Sequence, residues 1–197
     1  MPTPIGHALG GIAAGYLVSG VFACARSCAK RYSGTPAAPS STNLVVGAVT
    51  LACMGMLPDI DFVFAAHREF THSVGATAAV MVVAAALSRW RYVELPCAVG
   101  AAYASHIGLD WLAADSSFPA GLMALWPFTT DYYLSSYDYF LFLNVCRQIG
   151  EIQCWMNNGF ALLRELTILV PVTIAAISFQ RLVTRKCVRR GSQTKGS

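Results

Sequence analysis

From Ile5 to Cys24 the chain runs for twenty residues without one Asp, Glu, Lys or Arg, and it offers no polar face for water. A membrane helix needs about 20 such residues, because ~30 Å of hydrocarbon is crossed at ~1.5 Å per residue. Leu95 to Leu112, which carries His106 and Asp110, and Leu166 to Leu182 fall within the tolerated length. Two shorter runs, Leu44 to Leu57 and Val74 to Leu87, read as helices that continue into polar, buried ends. The composition agrees: 55% of the residues are hydrophobic and 12% charged, against roughly 25% charged in a soluble domain. The expectation is an all-α polytopic membrane bundle with about four to six transmembrane helices.

Basic residues mark the cytoplasmic side of a membrane protein. Here Arg26, Lys30 and Arg31 follow the first run, Arg89 and Arg91 the third, and six more lie between Arg181 and Lys195, so eleven of the fourteen share one side if helices alternate. The span Ala113 to Asp138 has none. Residues 1–183 then form one membrane-embedded helical domain, with a flexible cytoplasmic linker at 33–42 and an outer loop or interfacial region at 113–160. A basic cytoplasmic tail follows at 184–197. Its charges fit the fixing of topology or contact with anionic lipid, not nucleic acid. Met1 to Gly6 lacks the basic start of a secretory signal, so cleavage there is not expected. Trp126, Tyr132, Tyr133, Tyr137 and Tyr139 suggest an aromatic belt at the outer interface, and Tyr139 to Cys146 reads as the start of a further helix. The seven cysteines are scattered and read mostly as core residues. Cys146 and Cys154 could pair if their loop is extracytoplasmic.

All four histidines fall in three short motifs, each placed by this topology at an outer helix end: Gly6-His7-Ala8, then Leu57-Pro58-Asp59-Ile60-Asp61 with His67-Arg68-Glu69-Phe70-Thr71-His72-Ser73, and Ser105-His106-Ile107-Gly108-Leu109-Asp110. The sides were assigned from Lys and Arg alone, so the convergence of the histidines is an independent observation. His106 and Asp110 stand four apart on one helix face, ~5 to 6 Å apart at Cβ. An ionisable residue inside a membrane helix costs ~2.5 to 3.5 kcal/mol on insertion scales and is normally paired or functional. Pro58 ends its helix and leaves Asp59 and Asp61 on a turn, where two carboxylates repel unless a cation lies between them. His67 and His72, five apart, would sit ~140° from each other on one helix. His67 is therefore expected to precede helix three, whose start Thr71 or Ser73 caps, turning His72 toward the outer cavity. Arg68 and the free N–H groups of that helix start would favour an anion such as phosphate. The simpler readings are a hydrogen-bonded His106–Asp110 pair, a solvated Asp turn, an Arg68–Glu69 partnership and an interfacial His7.

Imidazoles and carboxylates without thiolates suit Zn²⁺, with Mn²⁺ or Fe²⁺ as alternatives. Seven candidates, His7, Asp59, Asp61, His67, His72, His106 and Asp110, exceed the needs of one tetrahedral ion, so one or two ions are expected. An ion held there would acidify water toward a pKa of ~7 for attack on a phosphoryl or acyl centre.

At these motifs the sequence resembles the inner-membrane metal-dependent hydrolase family, described as LexA-binding, inner-membrane-associated hydrolases. The matching pieces are His7, Leu57 to Asp61, His67 to Ser73, Tyr103 to Asp110 and Leu125-Trp126-Pro127-Phe128. The chain differs at Phe62, where the family often has His, and at Ala114-Asp115, where it often has Thr-Pro. The order of ligands is also similar to that of zinc-dependent phospholipase C. That analogy implies His7, Asp61, His72, His106 and Asp110 as metal ligands, with Asp59 and His67 as further ligand or proton-transfer groups. The expected function is a membrane-bound metal-dependent hydrolase, acting on a phosphate or ester bond of a lipid or envelope metabolite at the extracytoplasmic side of a bacterial-type inner membrane. In it Asp59, His67 and Arg68 serve catalysis. The rivals are an ion- or proton-coupled transporter using the same residues, a non-enzymatic membrane module with a structural metal, and, more remotely, a haem held by His7 and His106.

Overall fold

The computed structural model describes residues 2–33, 44–64, 68–90, 92–113, 120–141, 146, 148 and 150–193. They form five α-helices and no strand: α1 (Pro4–Ser33), α2 (Leu44–Met56), α3 (Val74–Leu87), α4 (Glu94–Trp111) and α5 (Ile152–Gln193), with 3-10 segments at Leu57–Phe64 and Phe70–His72. The linker expected at 33–42 lies outside the described residues except for Ser33, the last residue of α1.

The start of α1 follows from its sequence. Thr3 precedes Pro4, whose fixed φ and missing N–H suit the first helical position, and Thr3 Oγ1 accepts from Gly6 N at 3.0 Å as an N-cap does. The helix lies at the centre of the bundle, against α2, α4 and α5, while α3 packs on α4. Small residues permit the close approach. At the α1–α2 crossing Gly11 faces Gly55, and a Cβ on Gly55 would collide with the carbonyl of His7. Ala13, Tyr16, Leu51, Ala98, Ala102 and Ala176 pack the middle of the bundle.

Pairings along the helices give their directions. Thr3 meets Glu165, Leu9 O accepts from Thr173 and Gly20 lies against Phe179, so α1 and α5 run parallel. Gly11 against Gly55, with Gly47 beside Tyr16, makes α2 antiparallel to α1. Gly10 beside Leu109 and His7 beside Asp110 do the same for α4. Met81 beside Gly100 and Thr71 beside Tyr103 set α3 antiparallel to α4. One end of the bundle thus gathers the start of α1, the turn after α2, the turn before α3 and the end of α4. The exposed Arg89, Arg181, Arg185 and Lys186 lie toward the other.

Two helices are long and apolar enough to cross a membrane, over Pro4–Ala25 and Ile152–Lys186, fewer than the four to six expected. At ~1.5 Å per residue the 13, 14 and 18 residues of α2, α3 and α4 reach only about 20, 21 and 27 Å, short of ~30 Å. The surface is nonetheless apolar where helices face outward, with Val45, Val46, Val49, Val82, Val83, Leu87, Leu163, Val172, Ile174 and Leu182 exposed. No added helix begins at Tyr139, since Tyr139 to Leu141 are non-helical and 142–145 lie outside the described residues. Residues 120–141 instead strap the ends of α3 and α4: Val74 N donates to Ala124 O at 2.9 Å, Gly75 N to Trp126 O at 2.9 Å and Tyr139 N to Leu112 O at 3.0 Å. Cys146 and Cys154 are joined by a disulfide at the start of α5.

Glu165 is wholly buried on α5 and accepts from Thr3 N at 2.9 Å and Thr3 Oγ1 at 2.6 Å, fixing the first turn of α1. Glu165→Ala would leave the Thr3 N–H and hydroxyl without acceptors and is expected to cost about 1–3 kcal/mol per orphaned group, read as a lower midpoint of thermal unfolding in detergent. An unchanged midpoint would show that the contact contributes nothing.

Candidate metal centre

Four side chains from three elements converge at the gathered helix ends. His106 and Asp110 come from one face of α4, Asp59 from the 3-10 turn after Pro58, and His72 from the turn before α3. One donor atom from each lies within 4.8 Å of all the others. His106 Nε2 is 3.0 Å from His72 Nε2, 3.1 Å from Asp110 Oδ2 and 3.4 Å from Asp59 Oδ1. His72 Nε2 is 3.5 Å from Asp110 Oδ2 and 3.7 Å from Asp59 Oδ1. Ligands ~2.0–2.1 Å from a tetrahedral ion stand about 3.3 Å apart, within the observed spread.

The surrounding hydrogen bonds fix which nitrogen points inward. His106 Nδ1 lies 2.8 Å from the Gly55 carbonyl, which can only accept, so Nδ1 carries the proton and Nε2 presents its lone pair to the centre. His72 Nδ1 lies 3.1 Å from Asp61 Oδ2, a carboxylate that orients the ring in the same sense. Asp61 is itself held by Thr71 Oγ1 at 2.6 Å and the Arg68 backbone N–H at 3.1 Å. Tyr103 donates to Thr71 O at 2.6 Å and fastens this loop to α4. Two imidazole lone pairs and two carboxylates therefore face one another, and Asp59 Oδ1 and both oxygens of Asp110 are buried without a hydrogen-bond partner among the described residues. Such a concentration of acceptors is costly unless a cation lies among them. Asp59, His72, His106 and Asp110 are thus positioned to hold a metal ion.

Burial alone would raise the Asp59 carboxyl, but the imidazoles of His106 and His72 outweigh it and hold the group well below the usual carboxylate range. Burial likewise lowers the basicity of His72, and here Asp59 and Asp61 outweigh it, leaving the imidazole more basic than usual.

Of the residues singled out in the sequence, Asp59 stands among the four donors, whereas Asp61 faces the far side of the His72 ring. His7 stands beside the four, stacked on His106 with ring centroids 3.7 Å apart. His67 lies outside the described residues. Arg68 has a left-handed backbone, φ 72°, strained by about 1–2 kcal/mol for a side-chain-bearing residue. Ser73 caps α3, accepting from Ala76 N at 3.1 Å. With Val74 N and Gly75 N bonded to carbonyls of the 120–141 strap, the start of α3 has lost the free N–H groups that the anion reading required. Sequence reasoning missed Glu165, Thr3, Tyr103 and the Gly55 carbonyl. Glu165 carried a signal, as an acid bordering an apolar run, while a backbone carbonyl carries none.

A family model described as YdjM inner membrane protein matches residues 1–183. No curated protein and no solved structure matches the chain, and the likeness to zinc-dependent phospholipase C finds no support.

His106→Ala and Asp110→Ala are expected to abolish metal retention, while Asp61→Ala, which removes an outer carboxylate, should weaken affinity about 10–100-fold without abolishing it. Equal loss in all three, by elemental mass spectrometry of folded protein, would make Asp61 a direct ligand. Because Asp59 and Asp61 make His72 more basic than usual, a proton competes with the ion for that imidazole as the pH falls. Affinity for Zn²⁺ should therefore fall from pH 8 to pH 6, and a flat profile by calorimetry would refute this competition.

Proposed function

The chain belongs to the YdjM inner membrane protein family, and from that membership and the buried His/Asp cluster we propose that it is a membrane-bound metal-dependent hydrolase. Its substrate class is a phosphate or ester bond of a lipid or envelope metabolite. The observation that carries this reading is the set of inward-facing lone pairs and carboxylate oxygens at one end of an apolar bundle.

The donor set fits a divalent ion of the Zn²⁺, Mn²⁺ or Fe²⁺ kind. Such an ion, when bound, supplies Lewis acidity that lowers the pKa of water and offsets charge developing on a phosphoryl or acyl centre. The chain's own residues supply the rest. His72, His106, Asp59 and Asp110 hold the ion. Asp61, Thr71 and Tyr103 keep His72 in its tautomer and position. Asp59, whose side chain is 23% exposed against 0–2% for its partners, lies where the site opens. In this reading Arg68 orients an anionic group and His67 transfers a proton.

The site end faces the extracytoplasmic side in this proposal, with the C-terminus inside. In support, Arg89, Arg181, Arg185 and Lys186 lie toward the opposite end, and the Cys146–Cys154 disulfide ties the start of α5 on the site side. Against a transporter, the buried polar residues among those described cluster at the site end. The exception, Thr173, returns its hydroxyl to backbone carbonyls. One observation favours a second reading, a membrane module with a structural metal: four protein donors complete a tetrahedron, as closed structural sites do.

The test is turnover of bis(4-nitrophenyl) phosphate, a 4-nitrophenyl ester and phospholipid in mixed micelles, by purified protein stripped of metal and then reloaded with Zn²⁺ or Mn²⁺. Turnover that appears on reloading and is absent from His106→Ala supports the hydrolase. Metal retained without turnover of any substrate supports the structural module. Arg68→Gly suits the left-handed backbone while removing the cation, and in folded protein it should raise KM for anionic substrates more than it lowers kcat.

A further inference from the structure

The four-donor cluster leaves one buried group at this end without a role. His7 is 1% exposed, and neither ring nitrogen has a hydrogen-bond partner among the described residues. Its Nε2 stands 3.4 Å from Asp110 Oδ1, an oxygen that also lacks a hydrogen bond. Asp110 therefore divides its carboxylate: Oδ2 faces the Nε2 atoms of His106 and His72 at 3.1 and 3.5 Å, and Oδ1 faces His7. The His7 and His106 rings are stacked within 19° of parallel, 3.7 Å apart. Their Nε2 atoms thus address opposite oxygens of one carboxylate, the arrangement of a bridging ligand.

We propose that this end of the bundle holds a second divalent ion, bound by His7 Nε2 and Asp110 Oδ1, with Asp110 bridging it to the ion of the four-donor cluster. The inference rests on the reading of that cluster as a metal site. The two positions differ in their protein donors: the first has four and the second two, so the second would complete its coordination with water. His7 is held for this task by the Thr3–Glu165 contact one turn earlier.

Full-length protein in detergent, stripped with chelator and dialysed against Mn²⁺, distinguishes the outcomes by elemental analysis and electron paramagnetic resonance. Wild type is expected to retain two ions per chain with the signal of an exchange-coupled pair, and His7→Ala or His7→Gln one ion with an isolated signal. The wild-type signal decides whether a second ion is present even if both variants fail to fold. One uncoupled ion in wild type overturns the second site and leaves the four-donor site standing. Two ions that persist in folded His7 variants overturn the assignment to His7. No ion in wild type overturns this inference and the metal-dependent function together.

Discussion

Everything at the site end depends on the mutual repulsion of acceptors held out of water. Asp59, Asp110 and the Nε2 lone pairs of His72 and His106 are brought within 4.8 Å by three separate elements. A low-dielectric surrounding magnifies their interaction. The rest of the structure maintains this arrangement against its own tendency to relax. Gly55 offers a carbonyl that fixes one tautomer. Asp61, pinned by Thr71 and the Arg68 N–H, fixes the other. The 120–141 strap satisfies the start of α3, so that its backbone makes no competing demand on the acids.

The apolar exterior and the polar cluster are two aspects of one design. α1 must approach α2 closely enough for Gly11 and Gly55 to meet, because the carbonyl that orients His106 is that of Gly55. Small residues thus serve the packing of the bundle and the geometry of the centre at once. A bundle held by larger side chains would separate those two helices and turn the imidazole away.

Much of this was legible in the sequence. Val74–Leu87 is helical over the expected residues, α2 differs from expectation by one residue at its end and α4 by one residue at each end, because apolar runs bounded by Pro58, Ser73 and Ser88 mark their own limits. α1 and α5 are longer than their apolar runs, since a helix extends past the segment that hydropathy reveals into polar turns. The grouping of His7, Asp59, His72, His106 and Asp110 was legible from helix spacing and the sidedness of basic residues. The division of roles between Asp59 and Asp61 was not. With three residues per turn in a 3-10 helix, residues two apart lie ~120° from each other about the axis. One acid, Asp59, therefore faces the donors and the other, Asp61, the neighbouring loop, whereas the expectation from the sequence makes Asp61 the metal ligand and Asp59 a catalytic group or further ligand. Contacts such as Thr3 to Glu165, between residues 162 positions apart, leave no local pattern at all.

That last contact also orders the assembly of the protein in time. The elements that carry Asp59, Asp61, His72, His106 and Asp110 are complete once α4 has been made. His7, though made before all of these, rides on a turn whose anchor arrives only with α5. Until α5 docks alongside α1, the first helix has no Glu165 to hold its opening turn. The centre is therefore finished only when α5 has been made, and a chain interrupted before α5 would carry His7, His67, His72 and His106 yet lack the fixture that keeps the first of them in place.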